Sequence, residues 1–348
     1  MLLIAALGVS ACAAPPPPPP PPKPVVVGPP TDTVRIALTD LGRGTYYGHQ
    51  GGLYPNGLNQ PPPDHDSAAR AQRNRIRPLD VNGDESPFGK YVLLSIGNAT
   101  ASQVWCSASS SPPCGSWTFM GRAALAPAVN RASLVIVNGA ERSDSSAGWT
   151  SAASANYDRV KIGRLNPLGL SENQVEVVWL NLESDHAKYS LPSDSADAWK
   201  FAFSLGQTVR ALRTRYPQLL MVFISSSIYG GNDTTAYNPE PFSYEEGFSV
   251  KWLIESQINE MRASAANPWA GSLSYAKKTA PVIMWGPYLW ANGMTPRADS
   301  AFWSRLDFEP DGVHPSQLGE SKAAGILLEF FKNMPYTKCW FVASQYCL

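Results

Sequence analysis

Charge is scarce in this chain and its sum is zero. Among 348 residues, 28 Lys and Arg are matched by 28 Asp and Glu, and charged residues make up 16% of the total. A nucleic-acid partner is therefore excluded, since it calls for a basic excess or stripe. Apolar residues reach 44%, too many for a disordered chain and enough for a large core. After the first dozen residues no apolar run approaches the ~20 needed to span a bilayer, which excludes a multi-span membrane protein. No phosphate-cradling glycine loop and no dinucleotide fingerprint occur, so no nucleotide and no cofactor is implied. Histidine is limited to His49, His65, His186 and His314, and C-x2-C spacings are missing, so no metal site is expected.

What is present begins with an apolar leader, MLLIAALGVSAC, ending in small residues and Cys12. It resembles a bacterial lipoprotein signal, although no Lys or Arg precedes the apolar stretch as such signals usually require. Cys12 would then carry the lipid, and the chain would sit in the bacterial cell envelope, touching the membrane only through that anchor. Residues 13–32 form a proline-rich linker with an unbroken run from Pro15 to Pro22. Such a run is a stiff polyproline II spacer that holds the downstream chain away from a membrane. Four further cysteines remain, and Cys106 with Cys114 and Cys339 with Cys347 are each eight positions apart. Local pairing into two small disulfides suits an oxidising compartment.

From residue 33 to 348 the composition is globular with no second linker, which is read as one domain. Its first part, roughly 40–90, is crowded with Gly, Pro and Asn. So long an irregular stretch is expected to wrap a face or wall a site. Five apolar runs succeed it at 91–96, 133–137, 175–180, 219–224 and 281–285, with helical stretches at 196–216, 244–262 and 315–331. Continuous rather than alternating apolar runs mark strands covered on both faces. The expectation is a three-layer α/β/α sandwich around a mainly parallel five-stranded sheet of flavodoxin-like type. In such sheets ligands bind beyond the carboxyl ends of the strands.

The chemistry-bearing residues lie at those ends. Asp311-Gly312-Val313-His314-Pro315 precedes the last helix, and an Asp three residues before a His can fold back onto its Nδ1. Nε2 is then left to take a proton from a nucleophile. This block, continuing as SQLGESKAAGILLEFF, together with the strand order, resembles the SGNH hydrolases (the GDSL esterase superfamily) over about residues 90–331. The resemblance implies a nucleophilic Ser after the first strand and an oxyanion hole completed by a Gly and an Asn. It implies His314 as base and Asp311 as its orienter. The chain departs from the family in the first block, which reads Ser95-Ile96-Gly97-Asn98-Ala99-Thr100 and puts Ala99 at the nucleophile position. Three readings stay open: a Ser→Ala replacement, an inactive relative, or a nucleophile displaced to Ser95 or Ser102. An altered position 99 is favoured, because Ser95 lies within a strand and Ser102 is one turn further along.

By the same resemblance the oxyanion donors are the amides of Ala99 and Gly139, with Asn181 the nearest candidate for the Asn and Asn138 a further one. Tyr229, Tyr288 and Trp290 cluster after strands and suit stacking on a sugar. Glu183, Asp185 and His186, and Asp64-His65-Asp66, are read as solvated loops rather than metal ligands. The function expected is an exported esterase-type serine hydrolase acting on an ester, such as a carbohydrate O-acyl group, with Ser replaced by Ala99. The alternative is an inactive module of the same fold that binds glycans. No feature of the sequence sets an oligomeric state.

Overall fold

The structure is a computed structural model describing residues 33–107, 113–184, 186–263 and 265–345. The leader with Cys12, the linker 13–32, Asp185 and Cys347 lie outside the described residues. Five parallel strands, β1 (Tyr91–Gly97), β2 (Leu134–Asn138), β3 (Val175–Asn181), β4 (Met221–Ile224) and β5 (Val282–Trp285), form one sheet in the order β2-β1-β3-β4-β5. Their register runs through Leu94↔Val137, Ser95↔Trp179, Leu180↔Ile224 and Phe223↔Met284. β1 and β3–β5 are buried almost throughout, which is why they read as unbroken apolar runs.

Helices cover both faces of the sheet. α2 (Ala99–Cys106), α3 (Phe119–Leu125) and α6 (Gln317–Asn333) pack together on one face. There the Trp105 ring stacks on Trp179 of β3 at 4.9 Å, and Phe119 meets Phe331 at 5.4 Å. α4 (Asp197–Arg215) and α5 (Phe242–Ala263) pair with each other, joined by Ser249 Oγ donating to Ala198 O. The architecture is thus the expected three-layer α/β/α sandwich.

The stretch 40–90 corrects the expectation of an irregular segment. It contains a two-strand hairpin at Thr45–Tyr46 and His49–Gln50, and a helix, α1 (Pro63–Arg73), opened by proline where a missing N–H is harmless. Asp64-His65-Asp66 therefore begins a helix and is no solvated loop. His65 is buried with Nε2 2.9 Å from Ile283 O, and Asp64 pairs with Arg262 at 2.6 Å. Tyr54 Oη accepts from Trp285 N, and Leu53 O from Trp285 Nε1. The segment closes the β5 edge of the sheet.

Cys106 and Cys114 are joined, tying the end of α2 to the segment before α3. Cys339 is also disulfide-bonded. Among the described residues no helix is long and apolar enough to cross a membrane.

Candidate active site

The turn from Glu309 to Ser316 is held by its own backbone. Glu309 N donates to His314 O at 2.8 Å, Phe308 and Pro315 form a bridge, and Ser316 caps α6 by accepting from Gly319 N. Inside the turn, Asp311 Oδ1 accepts from the amides of Val313 and His314 at 3.0 and 3.1 Å, and Oδ2 lies 2.6 Å from His314 Nδ1. With a carboxylate on Nδ1 the proton is assigned there, leaving Nε2 as the basic nitrogen. Burial pushes the Asp311 carboxyl up, but the His314 ring and the two amides outweigh it and hold it below its ordinary range. Gly312 has φ +75°, and a Cβ there would meet Asn232 O at 1.7 Å, so glycine is required.

Position 99 opens α2 directly after β1. Ala99 is 5% exposed, and Asn98 before it makes no side-chain cap. The first-turn amides of a helix have no partners within it, and they carry the positive end of its dipole. Gln103, one turn beyond Ala99 on the same helix face, joins the two halves of the site. Its Nε2 donates to Glu309 Oε1 at 3.0 Å and to Pro315 O at 3.4 Å, on either side of the Asp311–His314 pair. Gly97, at the end of β1, is packed against β3 and α2, since a Cβ on it would meet Asn181 O at 2.2 Å and the Ala101 Cβ at 2.4 Å.

Both displaced candidates are enclosed. Ser95 is fully buried and donates to Asn138 Oδ1 at 2.8 Å inside the sheet. Ser102 is buried within α2, and its carbonyl accepts from Asn138 Nδ2 at 3.3 Å. Asn138 is therefore engaged on both amide atoms, by Ser95 and by the Ser102 carbonyl.

The remaining oxyanion expectations need correction. The Gly139 amide donates into the sheet, to Ser95 O at 3.0 Å and Ser95 Oγ at 3.2 Å. Glycine is needed there because a Cβ would meet Ser95 O at 2.5 Å, so close packing explains it. Asn181 Nδ2 is turned to the carbonyls of Ser225 and Ser226, at 3.4 and 3.0 Å.

The aromatic reading changes as well. Trp290 is fully buried with Nε1 donating to Glu240 Oε1 at 2.7 Å, and Tyr288 is buried with its Oη accepting from Leu38 N. Rings enclosed in this way cannot stack on a sugar. Tyr229 is half-buried and meets the Trp290 ring edge-on at 6.4 Å. Glu183 is buried and His186 exposed, so they do not form one solvated loop.

Sequence reasoning missed the segment 230–238, which lies across both halves. Thr234 donates through N and Oγ1 to Asp311 O, each at 3.0 Å, and Asn98 Nδ2 donates to Tyr237 Oη at 3.1 Å. Its only sequence signal was its place after β4. Glu309, Asp311 and His314 bring three ligand-type atoms within 4.8 Å of one another. However, His314 Nδ1 is engaged by Asp311, and Glu309 by Gln103 and by Arg142 at 3.2 Å. These ligand-type atoms are thus already bonded to protein partners.

No family model matches the chain, and no curated protein does. Among solved structures, it is similar to a Bacillus subtilis protein from a structural genomics programme (11% identity, TM-score 0.33, 70% of this chain). It is also similar to a salicylyl-acyltransferase from a tetracycline biosynthetic pathway (14%, 0.36, 73%) and to an extracellular lipase from Streptomyces rimosus (13%, 0.33, 69%). The chain spans 56% and 58% of the length of the first two, and 99% of the lipase. Likenesses this distant carry no argument about activity.

Proposed function

We propose that this chain is built as an exported ester hydrolase of the SGNH type whose nucleophile position is held by Ala99. The observation that carries this reading is the Asp311–His314 pair, bonded at 2.6 Å and linked through Gln103 to the helix that Ala99 opens. A serine hydroxyl at 99 would lose its proton to His314 Nε2 as it attacks an ester carbonyl. His314 would return that proton to the departing alcohol, with Asp311 holding the ring and favouring its charged form. The first-turn amides of α2 would meet the developing oxyanion. A methyl group cannot attack, so the chain as written keeps the acid–base pair and the donors and lacks the covalent step.

Ala99 itself favours a second reading, a non-catalytic module that binds a glycan or its ester in the same crevice. Ala99→Ser with p-nitrophenyl acetate separates the two. Turnover in the variant supports the hydrolase architecture. Glycan retention by both forms, with no turnover in either, supports the module.

A further inference from the structure

A second concave site lies at the β5 side of the molecule, and none of its lining residues belongs to the Glu309–Ser316 turn or to α2. It is a cleft of about 290 Å³ between the segment 39–61, the turn after β5 and the second half of α6. Its helix wall consists of Ile326, Phe330 and Met334, spaced four residues apart along one face and all half-buried. The Phe330 ring is held edge-on by Phe223 at 5.4 Å and by Phe331 at 5.3 Å. Tyr54 and Trp285 close the floor, and the rings of Pro61 and Pro287 complete the opposite wall. Small-molecule sites are typically concave, apolar and aromatic in this way, with few polar groups.

The polar groups around the cleft state what it would hold. Trp285 Nε1 donates to Leu53 O, and Tyr54 Oη accepts from Trp285 N at 3.3 Å. Arg297 donates through Nε and Nη2 to the two carboxylate oxygens of Asp299, and through Nη1 to Tyr288 O and Trp290 O. The charged residues that line the cleft thus neutralise each other, and an ion entering it would be buried without a counter-charge. An uncharged ligand is required. A cavity of ~150 Å³ holds one benzene ring, so the cleft has room for two fused rings. Proline rings and packed aromatics do not reshape around a chain. A rigid planar ligand gives up no rotamer freedom on entering such a slot, whereas an alkyl chain gives up some at every bond. The Met334 thioether adds a favourable contact to an aromatic edge.

We propose that this cleft binds a neutral, planar aromatic ligand the size of two fused rings, carrying a hydroxyl group that meets the rim at Thr39 and Gln60. The site goes beyond the proposed function and does not depend on Ala99 or on catalysis.

NMR of isotope-labelled methionine methyl groups in the full chain reads the site by its place. The Met334 signal is assigned with Met334→Leu, and 1-naphthol is titrated in, with 1-octanol as a flexible probe of similar hydrophobicity. Met120 is the control for unspecific apolar binding, because it lines a separate cavity of about 240 Å³ between α3 and β2. Met221, fully buried in β4, is the control for global change. The proposal expects a saturable ring-current shift at Met334 with 1-naphthol, none at Met120 or Met221, and half-saturation by 1-octanol at about tenfold higher concentration. Ile326→Trp fills the cleft and should weaken 1-naphthol by about tenfold or more, with the Met221 signal in place as evidence of the fold. No saturable shift at Met334, an equal shift at Met120, or 1-octanol binding as tightly as 1-naphthol overturns the proposal. So does unchanged affinity in Ile326→Trp. The comparison of Met334 with Met120 is made in the parent chain, so it decides the matter even where Ile326→Trp disturbs packing. Because no turnover is read, either outcome leaves the hydrolase reading to its own test.

Discussion

The two halves of the site are built in different ways. The Asp311–His314 half closes within six residues and satisfies the Asp311 carboxylate with its own amides and the His314 ring, while Thr234 and Gln103 brace it from outside. The Ala99 half depends on distant partners. Asn98 reaches Tyr237 and Gln103 reaches Glu309, while Asn98 Oδ1, Thr100 Oγ1 and Gln103 Oε1 are buried without a protein partner. Unpaired buried polar atoms are costly and cluster at functional sites. The comparison teaches that a local turn can hold an Asp–His pair without help from residue 99, since none of the bonds within it involves that residue.

The largest effect should come from repairing the weaker half. Ala99→Ser is expected to raise p-nitrophenyl acetate turnover by on the order of 10³-fold over the parent chain. Initial rates of both proteins at equal concentration check this. Next, breaking the stronger half in that background, with His314→Ala, should return the rate to within about tenfold of the parent while the circular dichroism spectrum is unchanged. A smaller effect should come from deforming the turn without touching its chemistry. Gly312→Ala drives a Cβ into Asn232 O from a left-handed backbone, and should cost about 1–3 kcal/mol in chemical denaturation.

The smallest effect concerns acid. Because the folded Asp311 carboxyl lies below its ordinary range, its contribution to stability is present above about pH 4 and is lost as pH falls through the lower folded value. Asp311→Asn should flatten that acid limb, seen as a melting temperature that changes less between about pH 5 and pH 2. At the far end of the molecule, Glu176 has the opposite sign. It is buried in β3 and pushed up to about 9, chiefly by desolvation, with the Arg77 amide opposing. Its contribution to stability is fully present below the ordinary carboxyl range and is lost progressively as pH rises from there to about 9, so Glu176→Gln should remove a downward slope across that span that Asp311→Asn leaves alone.

The sequence was most legible where structure is local and periodic. The five apolar runs lie within two residues of the observed strands, because burial on both faces leaves an unbroken apolar signature. The D-x-x-H turn was legible because its bonds span only three residues. Direction was less legible. A glycine after β2 reads the same whether its amide faces a crevice or, as at Gly139, the neighbouring Ser95. Trp290 and Tyr288 come after a strand as an exposed platform would, yet the segment before β1 and the carboxylate of Glu240 enclose them. α1 was hidden by three prolines in a row, which mark a loop until the last serves as a helix start.

The central claim is that position 99 is a nucleophile site served by His314. Intact-mass measurement after treatment with a serine-directed fluorophosphonate tests it most directly, on the parent, on Ala99→Ser and on Ala99→Ser with His314→Ala. The account predicts one adduct, located by peptide mapping at position 99, in the single variant only. Equal labelling with and without His314, or an adduct on Ser95 or Ser102 in the parent chain, would contradict it.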